Sequence, residues 1–139
     1  MSEVTRRLLA AMNAHDLDAF AGCFAADYRS EQPAHPNRAF RGADQARRNW
    51  EGVFAGVPDF SAELLALAVA DGGVELAEWR WTGTHGDGSP FAMRGATVFG
   101  VEEGRLAWGR LYMEPVERGG SDIDEMVQDT YRPPPGDRG

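Results

Sequence analysis

At Phe60 the chain changes its repeat. Before it, apolar residues recur three and four positions apart; after it come alternating apolar and polar stretches separated by glycine-containing turns. That switch constrains the fold more than any other feature. The spacing predicts strands over Ala62–Ala70, Val74–Thr84, Phe91–Gly100 and Leu106–Pro115, joined by Asp71-Gly72-Gly73, the loop from His85 to Pro90 and the turn from Val101 to Gly104. Short turns between successive strands favour antiparallel pairing, so the second half reads as a curled meander and the first half as helices covering one face. The fold class is α+β: a curved antiparallel sheet forming a cone, with N-terminal helices covering one face and a short C-terminal helix.

Ser2 is placed to cap a first helix with Val4, Leu8, Ala11 and Met12 on its apolar face, and Asp16 to cap a second with Leu17, Phe20, Ala21 and Phe24. Cys23, the single cysteine, excludes an intrachain disulfide and reads as a small buried hydrophobe. A short strand from Tyr28 to Gln32 stops at Pro33, and a loop carrying His35 follows. A third helix spans Ala43–Ala55, with Ala46, Trp50, Val53 and Phe54 inward, and ends at Pro58. Beyond the hinge Gly119-Gly120, Asp122 and Glu125 have capping-box spacing. Residues 1–118 therefore form the domain, and 119–139 an extension with a short helix over 121–131 and a Pro-rich, flexible tail.

If Leu106–Pro115 is one regular strand, Leu106, Trp108, Arg110, Tyr112 and Glu114 share a face. Charged and aromatic side chains on one face imply that this face borders a cavity or water, so it is read as a pocket wall. Glu114 is then the acid-base candidate. Arg110 would hold an oxyanion or pair with Glu78, and Tyr112 would donate to a ligand carbonyl. Trp50 and Trp108 are candidate walls or interface residues. His85, between two glycines in its loop, is a candidate proton relay, with His35 the other histidine near the strands. The expectation fails if Arg110 and Glu114 stand on the sheet face away from the cavity.

At 139 residues one domain suffices. With 22 acidic against 14 basic residues the net charge is -8, which disfavours nucleic acid and anionic membranes as partners. No apolar run approaches the roughly 18 residues of a membrane span. Glu3, Asn13 and His15 interrupt any signal-peptide pattern, so a cytoplasmic protein is expected. His15, His35 and His85 lack metal-ligand spacing; neither metal nor cofactor is expected.

The segments LDAFAGCFAADY, FRGADQARRNWEGVFAGVPDF, EWRWTGTHGDG and MRGATVFGVEEGRLAWGRLYME, in this order over residues 5–116, resemble the SnoaL-like branch of the nuclear-transport-factor-2-like superfamily. The resemblance implies a deep cavity, frequently in a homodimer formed through the outer sheet face. Against the ketosteroid-isomerase pattern, Leu8 stands at the helix Tyr, Gln32 before Pro33 at the base, and Thr97 at the strand Asp. Leucine donates nothing and Gln accepts no proton, so isomerisation by that mechanism is not expected. Gln32 and Thr97 remain ligand-binding candidates. Against the SnoaL-type cyclases, Tyr112-Met113-Glu114 resembles the Tyr-x-Asp ending with Glu for Asp, and the accompanying histidine falls to His85 or His35. Limonene-epoxide-hydrolase chemistry resembles it least, since Phe91–Gly100 holds no carboxylate.

Two functions follow. In one, the cavity binds a small hydrophobic, cyclic carbonyl compound, and, if the protein is catalytic, the reaction is cofactor-free proton transfer: isomerisation or aldol-type closure. Glu114 is acid or base, Arg110, Tyr112 or Thr97 stabilise the oxyanion, and His85 relays the proton. In the other, the chain is a non-catalytic ligand-binding or dimerisation module.

Overall fold

The computed structural model describes residues 1–131. Ser2 caps α1 (Glu3–Ala14) by accepting the Thr5 N–H on its hydroxyl, and Val4, Thr5, Leu8, Ala11 and Met12 are buried beneath it. His15 closes α1 in the left-handed conformation, its N–H bonded to the Ala11 and Met12 carbonyls. Asp16 at once caps α2 (Leu17–Ala21) through the Ala19 N–H. The two helices therefore form the expected hairpin. Cys23 follows, buried, with its thiol pushed up by burial against a weaker opposing pull from Arg7.

β1 (Phe24–Glu31) begins at Phe24, not at Tyr28 as expected. The cause is a distant partner: β1 pairs in parallel with the last strand, Phe24 opposite Leu106, a contact that local patterning does not reveal. A single 3-10 turn, Pro36–Arg38, leads to β2 (Phe40–Arg41), and α3 (Ala43–Gly56) ends before Pro58. The meander then runs through β3 (Ser61–Ala70), β4 (Val74–Thr84), β5 (Pro90–Glu102) and β6 (Arg105–Pro115).

These strands make one curved, unclosed sheet in the order β2-β1-β6-β5-β4-β3, antiparallel except between β1 and β6. Its concave face carries Tyr28, Ala77, Trp79, Trp81, Phe99 and Met113 against α1, α2 and α3. A buried carboxylate ties the first helix to the sheet. Glu75 of β4 accepts from the Ser2 N–H at 2.8 Å, the Thr5 hydroxyl at 2.6 Å and the Ser2 hydroxyl, beside the positive end of the α1 dipole. Burial pushes this carboxyl up, but those hydrogen bonds and the amino terminus outweigh it and hold it below the usual range.

The C-terminal helix α4 (Ile123–Tyr131) starts as its spacing predicts, with Asp122 accepting the Glu125 N–H at 2.9 Å. Its side chains, Ile123, Met126 and Val127 included, are exposed. The expected Pro-rich tail beyond Tyr131 lies outside the described residues.

Candidate functional site

Between the concave sheet face and the helices lies a cavity of about 310 Å³. Its aromatic walls are Phe20 and Phe24 near the helix hairpin, Trp50 on α3, and Trp79 and Trp81 on β4. The polar groups among its described lining residues are uncharged: besides the indole N–H groups of the tryptophans, of which that of Trp81 is buried without a partner, they are Tyr28, Ser30 and Gln32 from β1 and the residue after it, Asn49 from α3, and Thr97 from β5. Tyr28 is held neutral, since burial pushes its phenol up to about 12 against a smaller pull from a hydrogen bond with Ser30. Thr97 accepts the indole N–H of Trp79 at 2.9 Å. That leaves the Thr97 proton to donate, on an oxygen already polarised by the bond it accepts.

Two glycines shape this region by what they lack. A Cβ on Gly109 would strike the Tyr28 hydroxyl and lie 2.9 Å from the Phe99 ring. The bare backbone there admits the phenol over β6. On the opposite face, a Cβ on Gly100 would overlap the Trp108 indole.

The pocket-wall reading of β6 is overturned. Gly100 pairs with Trp108 and Val101 with Leu106, so Ala107 is an extra residue on β6, a β-bulge. The bulge reverses the alternation: Leu106 faces the core, whereas Gly109, Leu111 and Met113 take the inner face downstream. Trp108, Arg110, Tyr112 and Glu114 share the outer face with their partners Gly100, Val98, Ala96 and Arg94. Arg110 stacks over the Trp108 ring with 4.7 Å from its guanidinium carbon to the centroid, and Tyr112 is 44 % exposed. Neither they nor Trp108 touches the cavity. Glu78 pairs with Arg94 at 3.5 Å, not with Arg110.

The remaining candidates divide. Thr97, Gln32 and Trp50 line the cavity, and so does Leu8, so the three positions aligned with the isomerase pattern all face one space. His85 stands in the exposed loop edge-on to Phe91, 5.5 Å between centroids, and is not among the lining residues. Glu114 and His35 meet at the rim, where the strand end curls toward the loop after β1: His35 Nε2 lies 2.7 Å from Glu114 Oε1. They adjoin an outer chamber of about 350 Å³ lined by Gln32, Arg38, Trp81, Leu111, Met113 and Glu114, among others. Gln32, Trp81 and Leu111 border both spaces, so the chamber is the mouth of the inner cavity.

Sequence reasoning missed Tyr28, Ser30, Asn49, Trp79, Trp81 and Arg38. Tyr28 and Ser30 were within reach of it, because they precede Gln32 at intervals of two on the same strand face. Among the described residues, no group of three or more His, Cys, Asp or Glu side chains is arranged to hold a metal, and no helix is long and apolar enough to cross a membrane.

A curved sheet closing with three helices around an apolar, uncharged cavity defines a cone of the nuclear-transport-factor-2-like kind. Residues 5–108 match the SnoaL-like domain, and the chain belongs to that family. Among curated proteins none matches the sequence. Solved structures share the fold. A protein of ketosteroid-isomerase-like fold from Catenulispora acidiphila, in complex with trimethylamine, superposes with a TM-score of 0.70 at 19 % identity, over 81 % of this chain and 86 % of that one. IdmH from Streptomyces antibioticus, a polyketide-cyclase candidate, gives 0.69 at 21 % identity over 81 % and 90 %. An LEH-like epoxide hydrolase from M. tuberculosis gives 0.67 at 21 % identity over 80 % of each.

Proposed function

We propose that the inner cavity holds a small, hydrophobic, cyclic carbonyl compound. The observation that carries this reading is the wall chemistry: aromatic side chains with only uncharged donors and acceptors, the Thr97 hydroxyl and the unpartnered Trp81 N–H among the donors. Such a wall desolvates an apolar ring at little cost and rewards a single carbonyl oxygen.

A second reading, proton transfer on that ligand, has its own support in the rim pair. His35 and Glu114 are in contact at the mouth, and such a pair is what the sequence offered for proton transfer, Glu114 with either histidine. A carbon acid bound with its carbonyl inward and its α-carbon toward the mouth would pass its α-proton to the Glu114 carboxylate, the C–H electron pair moving onto the carbonyl oxygen as the enolate, without any cofactor. Arg110 and Tyr112 have no part in this version, and Thr97 alone remains to steady the enolate oxygen. The outer face is proposed as a homodimer surface: Leu76 and Tyr112 are exposed on it, and four of its charged side chains are matched in the pairs Glu63–Arg80 and Glu78–Arg94.

The test is a thermal-shift screen against polycyclic ketones, steroids, lactones and epoxides. A ligand at a hundred times its dissociation constant adds about 2.7 kcal/mol, a shift of several degrees. Stabilisation by one class supports binding, and no shift from any class removes it. Turnover of that ligand, lowered about 100-fold in His35→Gln and in Glu114→Gln while its binding persists, supports proton transfer. Turnover unchanged in both variants sinks that second reading.

A further inference from the structure

We infer that the ligand is an amphipathic carboxylate, its ring system in the inner cavity and its anionic group held at the mouth by Arg38. The inference rests on the proposed binding function and narrows its ligand class. The inner cavity has no charged group among its described lining residues, so an ionised ligand group buried there would go uncompensated. The mouth differs. Arg38 lines it, and one of its nitrogens donates to the Gln32 side-chain oxygen at 3.0 Å, which aims the guanidinium while leaving its other donors unspent.

No carboxylate of the described residues lies within 4.0 Å of Arg38. The acidic residue among the mouth's lining residues, Glu114, has one oxygen bonded to His35 at 2.7 Å. The rim thus presents an aimed cation without a counterion in a chamber of mixed polar and apolar lining, which adjoins a deeper cavity with aromatic walls. A planar guanidinium of this kind suits a carboxylate, which accepts two parallel hydrogen bonds from it. The net charge of -8 opposes an anion at long range. At physiological salt that field is screened beyond about 8 Å, so the contact group decides.

The experiment compares a bicyclic aromatic ketone bearing a carboxymethyl group with its methyl ester, by calorimetric titration of wild type, Arg38→Gln and Arg38→Lys. Arg38 is exposed, and the melting temperature of each variant verifies that it is folded. Wild type should prefer the acid by about tenfold or more, the span of one charge-assisted contact. Arg38→Gln should lose that preference while keeping the ester affinity within about twofold, and Arg38→Lys should retain part of it. An ester bound as tightly as the acid by wild type, or a preference undiminished in Arg38→Gln, overturns the inference and leaves the cavity-binding reading standing. Failure of both compounds to bind wild type at millimolar concentration counts against the two together.

Discussion

Thr97 shows how one side chain serves both the packing and the site. Its oxygen satisfies the buried Trp79 N–H, and its proton is left for a ligand. Thr97→Val keeps the shape and removes the acceptor, stranding an indole donor in the core. Stability should fall by about 1–3 kcal/mol in denaturant titrations, the penalty of an unsatisfied buried donor. Affinity for a carbonyl ligand should fall with it. Gly109 makes the complementary case, since any side chain there meets the Tyr28 hydroxyl and the Phe99 ring. Gly109→Ala should destabilise by about 1–3 kcal/mol, the usual cost of overpacking. An unchanged melting temperature in Gly109→Ala would show that the phenol moves aside freely.

At the scale of elements, the sequence was most legible where structure is local. The caps at Ser2, Asp16 and Asp122, the end of α3 before Pro58 and the strand bounds Val74–Thr84 all follow from side chains within a few residues. What it hid is non-local. The β1–β6 pairing joins segments about eighty positions apart, and the bulge at Ala107 exists only in the register between two strands. One inserted residue turned the charged face of β6 from inside to outside, and the candidates Trp108, Arg110 and Tyr112 went with it, leaving only Glu114, at the strand end, in reach of the rim. The tether of α1 through Glu75 is equally non-local and gives a pH signature. A carboxyl held below its ordinary value of 4.5 in the fold stabilises fully above that value, and the stabilisation is lost as pH falls through the lowered one. Glu75→Gln should therefore cost about 1.5–3 kcal/mol at neutral pH, the range for bonds to a charged group, and should lessen the loss of stability below pH 5. Denaturant midpoints of the two proteins across that range check both the size and the sign.

For the whole molecule, the two sheet faces have separate tasks. The concave face builds the cavity, and the convex face is the proposed dimer surface. Arg110→Ala should leave ligand affinity within about twofold, because its side chain lies on Trp108 across the sheet from the cavity. Light scattering at micromolar concentration should give twice the chain mass, 15.2 kDa; the mass of a single chain would refute the dimer.

The central claim is that the ligand enters the space between helices and concave face, and the tryptophans report on it directly. Trp50, Trp79 and Trp81 line that space, whereas Trp108, the remaining one of four, lies outside. The measurement is a fluorescence titration of wild type and Trp108→Phe with the ketone that gives the largest thermal shift. A ligand in the inner cavity gives the same emission change and the same dissociation constant in both proteins. A change that vanishes in Trp108→Phe would place the ligand on the outer face and contradict it.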